Sequence, residues 1–187
     1  MVAKKSTSKK TAKKVTAKKA TAKKTAKKPA ARSMESFIGA RVPDLVLPST
    51  GGSNVRLRDL MGKKVVLYFY PKDMTPGCTI EGHDFTRLKP QFEAANTIVY
   101  GISRDSVDSH EKFKSKECYA IDLLSDADEK MCKAFDVVKM KNMYGKKVRG
   151  IERSTFVVDE SGQIVKEWRG VKVEGHADEV LKFVGGH

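Results

Sequence analysis

The first 33 residues hold 12 Lys and one Arg and not one Asp or Glu. After Met1 their only large apolar residues are Val2 and Val15. That is too little apolar surface to offset the entropy of ordering a chain whose cations repel one another. Lysine pairs recur at Lys4-Lys5, Lys9-Lys10, Lys13-Lys14, Lys18-Lys19, Lys23-Lys24 and Lys27-Lys28, and Thr-Ala-Lys-Lys occurs at 11–14, 16–19, 21–24 and 25–28. Residues 1–33 are therefore expected to form a disordered Lys/Ala/Thr-rich basic tail, with Pro29-Ala30-Ala31-Arg32-Ser33 as the linker. Folding is confined to residues 34–187, a length suited to one domain. The 187-residue chain carries 37 Lys+Arg against 23 Asp+Glu, a formal +14. The tail accounts for +13, so the remainder, with 24 basic and 23 acidic residues, is nearly neutral.

The longest unbroken apolar run, Val65 to Tyr70, has six residues, far short of the ~20 a membrane helix needs. Met1-Val2-Ala3-Lys4-Lys5 has no apolar stretch behind it, so no secretory signal is expected. The cysteines, Cys78, Cys118 and Cys132, are too few and scattered for a disulfide framework or a CxxC zinc site. No membrane association is expected, and a reducing intracellular compartment is. The tail resembles the lysine-, alanine- and threonine-rich tails of linker histones and some bacterial histone-like proteins. That resemblance implies sequence-independent DNA contact through the twelve paired lysines and favours the nucleus or a bacterial nucleoid. An address tail and an organellar transit peptide are the alternatives, although transit peptides favour Arg and Ser over paired Lys.

Along the domain, Val42–Leu47 and Asn54–Leu57 flank Ser49-Thr50-Gly51-Gly52 and predict a hairpin. Lys64–Tyr70 and Thr97–Ser103 predict buried strands. From Cys78 a helix is expected with Ile80, Phe85, Leu88 and Phe92 near one face, kinked or interrupted at Pro90. Ser106 to Glu117 predicts a polar, mostly exposed helix, and Asp122-Leu123-Leu124 a short extended piece. Asp126 and Glu129 are expected to cap a helix bearing Ala127, Met131 and Phe135. Val137 to Gly150 reads as a basic loop. Ser154–Val158 and Gln163–Trp168 predict a hairpin, and Ala177–Val184 a final amphipathic helix. Helices between buried strands, then a closing hairpin and helix, give an α/β fold. It is a three-layer sandwich with a central mixed sheet, and a thioredoxin-like arrangement fits this order.

The chemistry concentrates in Tyr70-Pro71-Lys72-Asp73-Met74-Thr75-Pro76-Gly77-Cys78-Thr79. A buried strand ends, a proline-rich loop turns, and a cysteine opens a helix. The N–H groups of the first turn and the helix dipole both stabilise thiolate over thiol there, and thiolate is the nucleophile. Thr75 places a hydroxyl three residues before the sulfur.

Pro71-x-x-x-Thr75-x-x-Cys78 is the peroxiredoxin signature, and Tyr-Pro-Lys-Asp-x-Thr-Pro-Gly-Cys-Thr resembles its Q-type, or bacterioferritin-comigratory, branch. Asp84-Phe85, Leu123-Leu124-Ser125-Asp126 and Arg153-Ser154-Thr155-Phe156 extend the resemblance from about residue 36 to the C-terminus. It implies thiol-dependent reduction of hydrogen peroxide and organic hydroperoxides, with no cofactor and no metal. Cys78 would be the peroxidatic cysteine, passing through sulfenic acid. Thr75 would hydrogen-bond the peroxide, Arg153 would hold the thiolate and steady the departing oxygen, and Pro71 would shield the sulfur. The reductant would be thioredoxin-like or another small thiol, and the branch favours a monomer.

Many members of that branch carry a second cysteine five residues after the first, where this chain has His83. Resolution of the sulfenic acid is then left to an external thiol, to Cys118, or to Cys132. Two other functions compete with the peroxidase: a DNA-associated peroxide sensor using Cys78, and a disulfide oxidoreductase, disfavoured by the absence of CxxC.

Overall fold

The computed structural model describes residues 36–143 and 145–186. The basic tail and its linker lie outside the described residues. In chain order the elements are β1 (Val46–Pro48), β2 (Asn54–Arg56), β3 (Lys64–Phe69), α1 (Pro76–Ala94), β4 (Thr97–Ser103), α2 (Val107–Glu117), β5 (Asp122–Ser125), α3 (Lys130–Ala134), β6 (Val138–Met143), β7 (Lys146–Ile151), β8 (Ser154–Val158), β9 (Ile164–Arg169) and α4 (His176–Gly185).

The central sheet has the order β5-β4-β3-β8-β9. Strands β3, β4 and β5 run parallel, because α1 and α2 carry the chain back between them. Strand β8 returns antiparallel beside β3, and β9 antiparallel beside β8. The last turn is tight: Asp159 Oδ1 accepts from the N–H groups of Ser161 and Gln163 at 2.9 Å, and Gly162 supplies φ +81°.

Period-two alternation along β3 sends its side chains to opposite faces. Val65, Leu67 and Phe69 join Leu47, Leu57, Met131 and Phe135 in one buried cluster. Val66, Tyr68 and Tyr70 join Phe85, Leu88 and Phe92 of α1, Phe113 of α2, and Val180 and Val184 of α4. The result is the expected thioredoxin-like sandwich: helices, a mixed sheet, and a second layer holding α3 and the β1–β2 hairpin. Gly101 of β4 is required by this packing, since a Cβ there would lie 2.5 Å from the Tyr68 hydroxyl.

Several local expectations are corrected. Helix α1 begins at Pro76, not Cys78, and runs unbroken past Pro90 to Ala94. Proline removes one backbone bond, but buried Leu88 and Phe92 anchor the turns on both sides of it. Ile80 is 55% exposed; Glu81 and Gly82 occupy the buried face instead. The segment read as a basic loop is the antiparallel β6–β7 hairpin, turning at Gly145 with φ +77°. Its signal was the alternation Val138-Lys139-Met140-Lys141, obscured by the lysine content. The cap before α3 is half right. Asp126 accepts from the N–H groups of Met131 (3.2 Å) and Cys132 (2.7 Å), whereas Glu129 turns away to Arg149, Arg104 and Lys133. Those three cations, Arg149 foremost, pull the Glu129 carboxyl down to about 2.

Candidate active site

Strand β3 delivers Tyr70, whose N–H donates to the Ile102 carbonyl at 3.1 Å, and the chain then leaves the sheet. Pro71 is half-buried at the head of this loop. Met74 takes a left-handed conformation, φ +57°, which a non-glycine residue adopts only when its neighbours hold it. Thr75 occupies the N-cap position of α1 in extended geometry. Its hydroxyl donates to the Lys72 carbonyl at 3.1 Å rather than capping the helix. Pro76 fits the first helical position, where its missing N–H has no intrahelical partner to lose.

Cys78 lies in that first turn and is 2% exposed. One guanidinium nitrogen of Arg153, Nη2, donates to its Sγ at 3.3 Å. The other, Nη1, pairs with Glu81 Oε2. Arg153 sits between β7 and β8, its carbonyl accepting from the Val171 N–H at 2.9 Å. Gly77 permits this approach: a Cβ there would stand 3.3 Å from Arg153 Nη2. Burial disfavours charge on Arg153, but Glu81 and Cys78 outweigh it and keep the guanidinium a firm cation. Burial raises the Glu81 carboxyl to about 7 against the pull of Arg153, and its Oε1 has no hydrogen-bond partner. Glu81 was missed in the sequence. The available signal was spacing, since three residues after Cys78 is one turn along the same helix face.

The end of α2 docks on α1 just beyond the cysteine. Tyr119 Oη donates to the Thr79 carbonyl at 3.0 Å, and its ring packs so closely over Gly82 that a Cβ would approach it to 2.4 Å. His83 Nε2 lies 3.1 Å from Glu117 Oε2. Between these two contacts sits Cys118, exposed, with φ +55° at the C-cap of α2. Cys132 is different. It is buried in the cluster on the far face of the sheet from Cys78, and burial, then Asp126, push its thiol strongly upward. The structure thus brings Cys78, Arg153 and Glu81 together, with Thr75 at the same helix end. It leaves Cys118 on the neighbouring surface and separates Cys132 by the sheet. The lysines of the tail lie outside the described residues.

The family model described as the AhpC/TSA family matches residues 38–167. Peroxiredoxin Bcp of Xanthomonas campestris is 55% identical over 144 residues, 77% of this chain and 90% of the relative. Peroxiredoxin Bcp of Bacillus subtilis is 48% identical over 145 residues, 78% and 92% of the two chains. Among solved structures, the Xanthomonas campestris bacterioferritin comigratory protein, studied for alkyl peroxide reduction, superposes with a TM-score of 0.74 at 54% identity, covering 77% of this chain and 92% of its own. A mutant of Xylella fastidiosa PrxQ superposes with a TM-score of 0.79 at 46% identity, covering 83% and 99%.

Proposed function

The chain belongs to the AhpC/TSA family, in its peroxiredoxin Bcp/PrxQ branch, and is a thiol peroxidase; from that premise we propose that Cys78 is its peroxidatic cysteine and Arg153 its principal electrostatic partner. The observation carrying this is the 3.3 Å N–H···S contact between them inside a buried first helical turn. The Cys78 thiolate attacks one peroxide oxygen, an S–O bond forms and the O–O bond breaks. Sulfur is oxidised by two electrons to sulfenic acid, and the departing oxygen takes a proton from water to leave as water or alcohol. Arg153 stabilises the thiolate before attack and the charge on the leaving oxygen during it. The Thr75 hydroxyl exchanges its bond to Lys72 for one to the peroxide, and Pro71 screens the sulfur.

With His83 at the position of the usual second cysteine, an external thiol attacks the sulfenic acid. Water leaves as a mixed disulfide forms, and a second thiol restores Cys78. A second reading is favoured by one observation: Glu117 and Tyr119, on either side of Cys118, both touch α1 within five residues of Cys78. Cys118 could then resolve after the first turn of α1 unwinds, as the reach of a disulfide requires. Intact mass and a non-reducing peptide map after one equivalent of hydrogen peroxide separate the two. An adduct of a sulfenic-acid trap on Cys78 with no disulfide supports the external thiol, and a Cys78–Cys118 peptide supports internal resolution. Peroxide consumption by Cys78→Ser at the wild-type rate overturns the catalytic assignment.

Residues 1–33 form a separate basic segment in this reading, ahead of the enzyme domain. Their +13 charge suits salt-sensitive, sequence-blind contact with DNA, which would keep peroxide removal close to it. Deleting residues 1–32 should abolish DNA retention; equal affinity with and without them refutes the tether.

A further inference from the structure

His110, in the first turn of α2, is completely buried. Its Nδ1 lies 2.9 Å from Asp73 Oδ2 and 3.1 Å from Oδ1. Its Nε2 lies 3.2 Å from the Leu124 carbonyl of β5. A carbonyl only accepts, and an ionised carboxylate only accepts. The ring satisfies the carboxylate by carrying a proton on Nδ1. A bare Nδ1 would leave a buried acceptor facing the acceptor oxygens of Asp73.

The carboxylate is prepared for this donor. Tyr70 Oη donates to Asp73 Oδ1 at 2.8 Å and Ser109 Oγ to Oδ2 at 2.7 Å. Burial opposes charge on Asp73, but the bonds from His110 and Ser109 outweigh it and lower its carboxyl below the ordinary range. The Asp73 N–H donates to Asp105 Oδ2 at 2.9 Å, which Ser103 Oγ also meets at 2.7 Å. One loop residue is thus tied to the ends of β3 and β4 and to the start of α2. The next residue, Met74, is the left-handed one, and the next after that is Thr75. Left-handed backbone at a non-glycine residue is strained and would relax if its neighbour were released. Asp73 therefore sets the direction in which the chain enters α1.

We propose that His110 is a positioning residue for peroxide reduction: through Asp73 it holds the loop that presents the Thr75 hydroxyl beside Cys78. It touches neither the peroxide nor the sulfur. The inference rests on the assignment of Cys78 and Thr75 above. Its prediction is selective: the peroxide reaction needs Thr75 in register, whereas alkylation of Cys78 by iodoacetamide does not.

The test compares the two rate constants at Cys78 in the full chain, for wild type and for His110→Leu, His110→Asn and His110→Gln. Asparagine can place a donor where Nδ1 stands, toward Asp73; glutamine places one nearer Nε2, toward Leu124; leucine offers neither. The expected result is a fall of tenfold or more in the peroxide-to-iodoacetamide ratio for leucine and glutamine, with asparagine restored to within about threefold. Nitrogen-15 spectra of the wild-type ring should show Nδ1 protonated. A ratio unchanged in all three variants, an equal fall in both reactions, or a bare Nδ1 overturns the proposal. If His110→Leu does not fold, the asparagine–glutamine comparison decides alone: asparagine ahead supports it, equality refutes it. The Cys78→Ser variant keeps the two readings apart. Its loss of activity alongside an unaffected His110→Leu refutes only the positioning role, and its retention of activity refutes the catalytic assignment beneath it.

Discussion

Replacing Arg153 by methionine would keep an apolar stem in place of the side chain and delete its charge. Two contacts disappear. The first is the Nη2–H···Sγ bond of 3.3 Å. A hydrogen bond to a charged group contributes about 1.5–3 kcal/mol, and each ~1.4 kcal/mol is tenfold in rate. The rate constant for hydrogen peroxide should fall roughly 10- to 150-fold. The second is the pairing with Glu81, a carboxyl only 1% exposed that burial already holds at about 7. Without Arg153 that carboxyl takes up a proton at neutral pH. With its folded value already at about 7, the wild type bears most of the ~3 kcal/mol that protonating a carboxyl of ordinary value 4.5 costs at pH 7, so the variant loses less than about 1 kcal/mol through Glu81. Single-turnover peroxide consumption measures the first effect and urea denaturation the second. The double variant Arg153→Met/Glu81→Leu separates them, since an apolar neighbour removes the orphaned carboxyl. Stability should return while the rate stays low. A single variant reacting within twofold of wild type would refute the electrostatic role, and a double variant with restored rate would show that the defect was one of folding.

Glu81 also makes stability depend on pH. Its folded value, about 7, is raised above 4.5, so its contribution is full below about pH 4.5 and declines as pH rises through 7. Glu81→Gln should remove that slope, and identical profiles in urea titrations from pH 4.5 to 8 would contradict the assignment. Gly77→Ala should push Arg153 Nη2 outward, because the new methyl would sit 3.3 Å from it. A three- to tenfold loss in peroxide rate with an unchanged denaturation midpoint is expected. Gly82→Ala puts a methyl 2.4 Å from the Tyr119 ring and should destabilise the fold by about 1–3 kcal/mol; in a Tyr119→Ala background the same substitution should cost little more in the denaturation assay.

Legible in the amino-acid sequence alone was the charge segregation, 33 basic-rich residues ahead of a nearly neutral remainder, because charge and apolar content are properties of composition. The layered α/β class was legible too, since buried runs such as Val65 to Tyr70 and helical spacings such as Phe85, Leu88 and Phe92 are local periodicities. The cysteine at a helix start was legible for the same reason: strand, proline-rich loop and helix are contiguous in the chain. Less was legible where local preference met packing. Pro90 should interrupt a helix, yet core contacts of its neighbours carry the helix through. A lysine-rich segment should be a loop, yet Val138 to Ile151 closes on itself as a hairpin. Which distant groups share the site follows from the folded arrangement alone. Arg153 reaches Cys78 across 75 residues, Glu81 becomes an ion-pair partner because Arg153 arrives, and His110 meets Asp73 across 37 residues. That arrangement also puts Cys132 behind the sheet and Cys118 beside α1. Such pairings follow from strand order and helix docking, which bring together residues that no local pattern of a single chain connects.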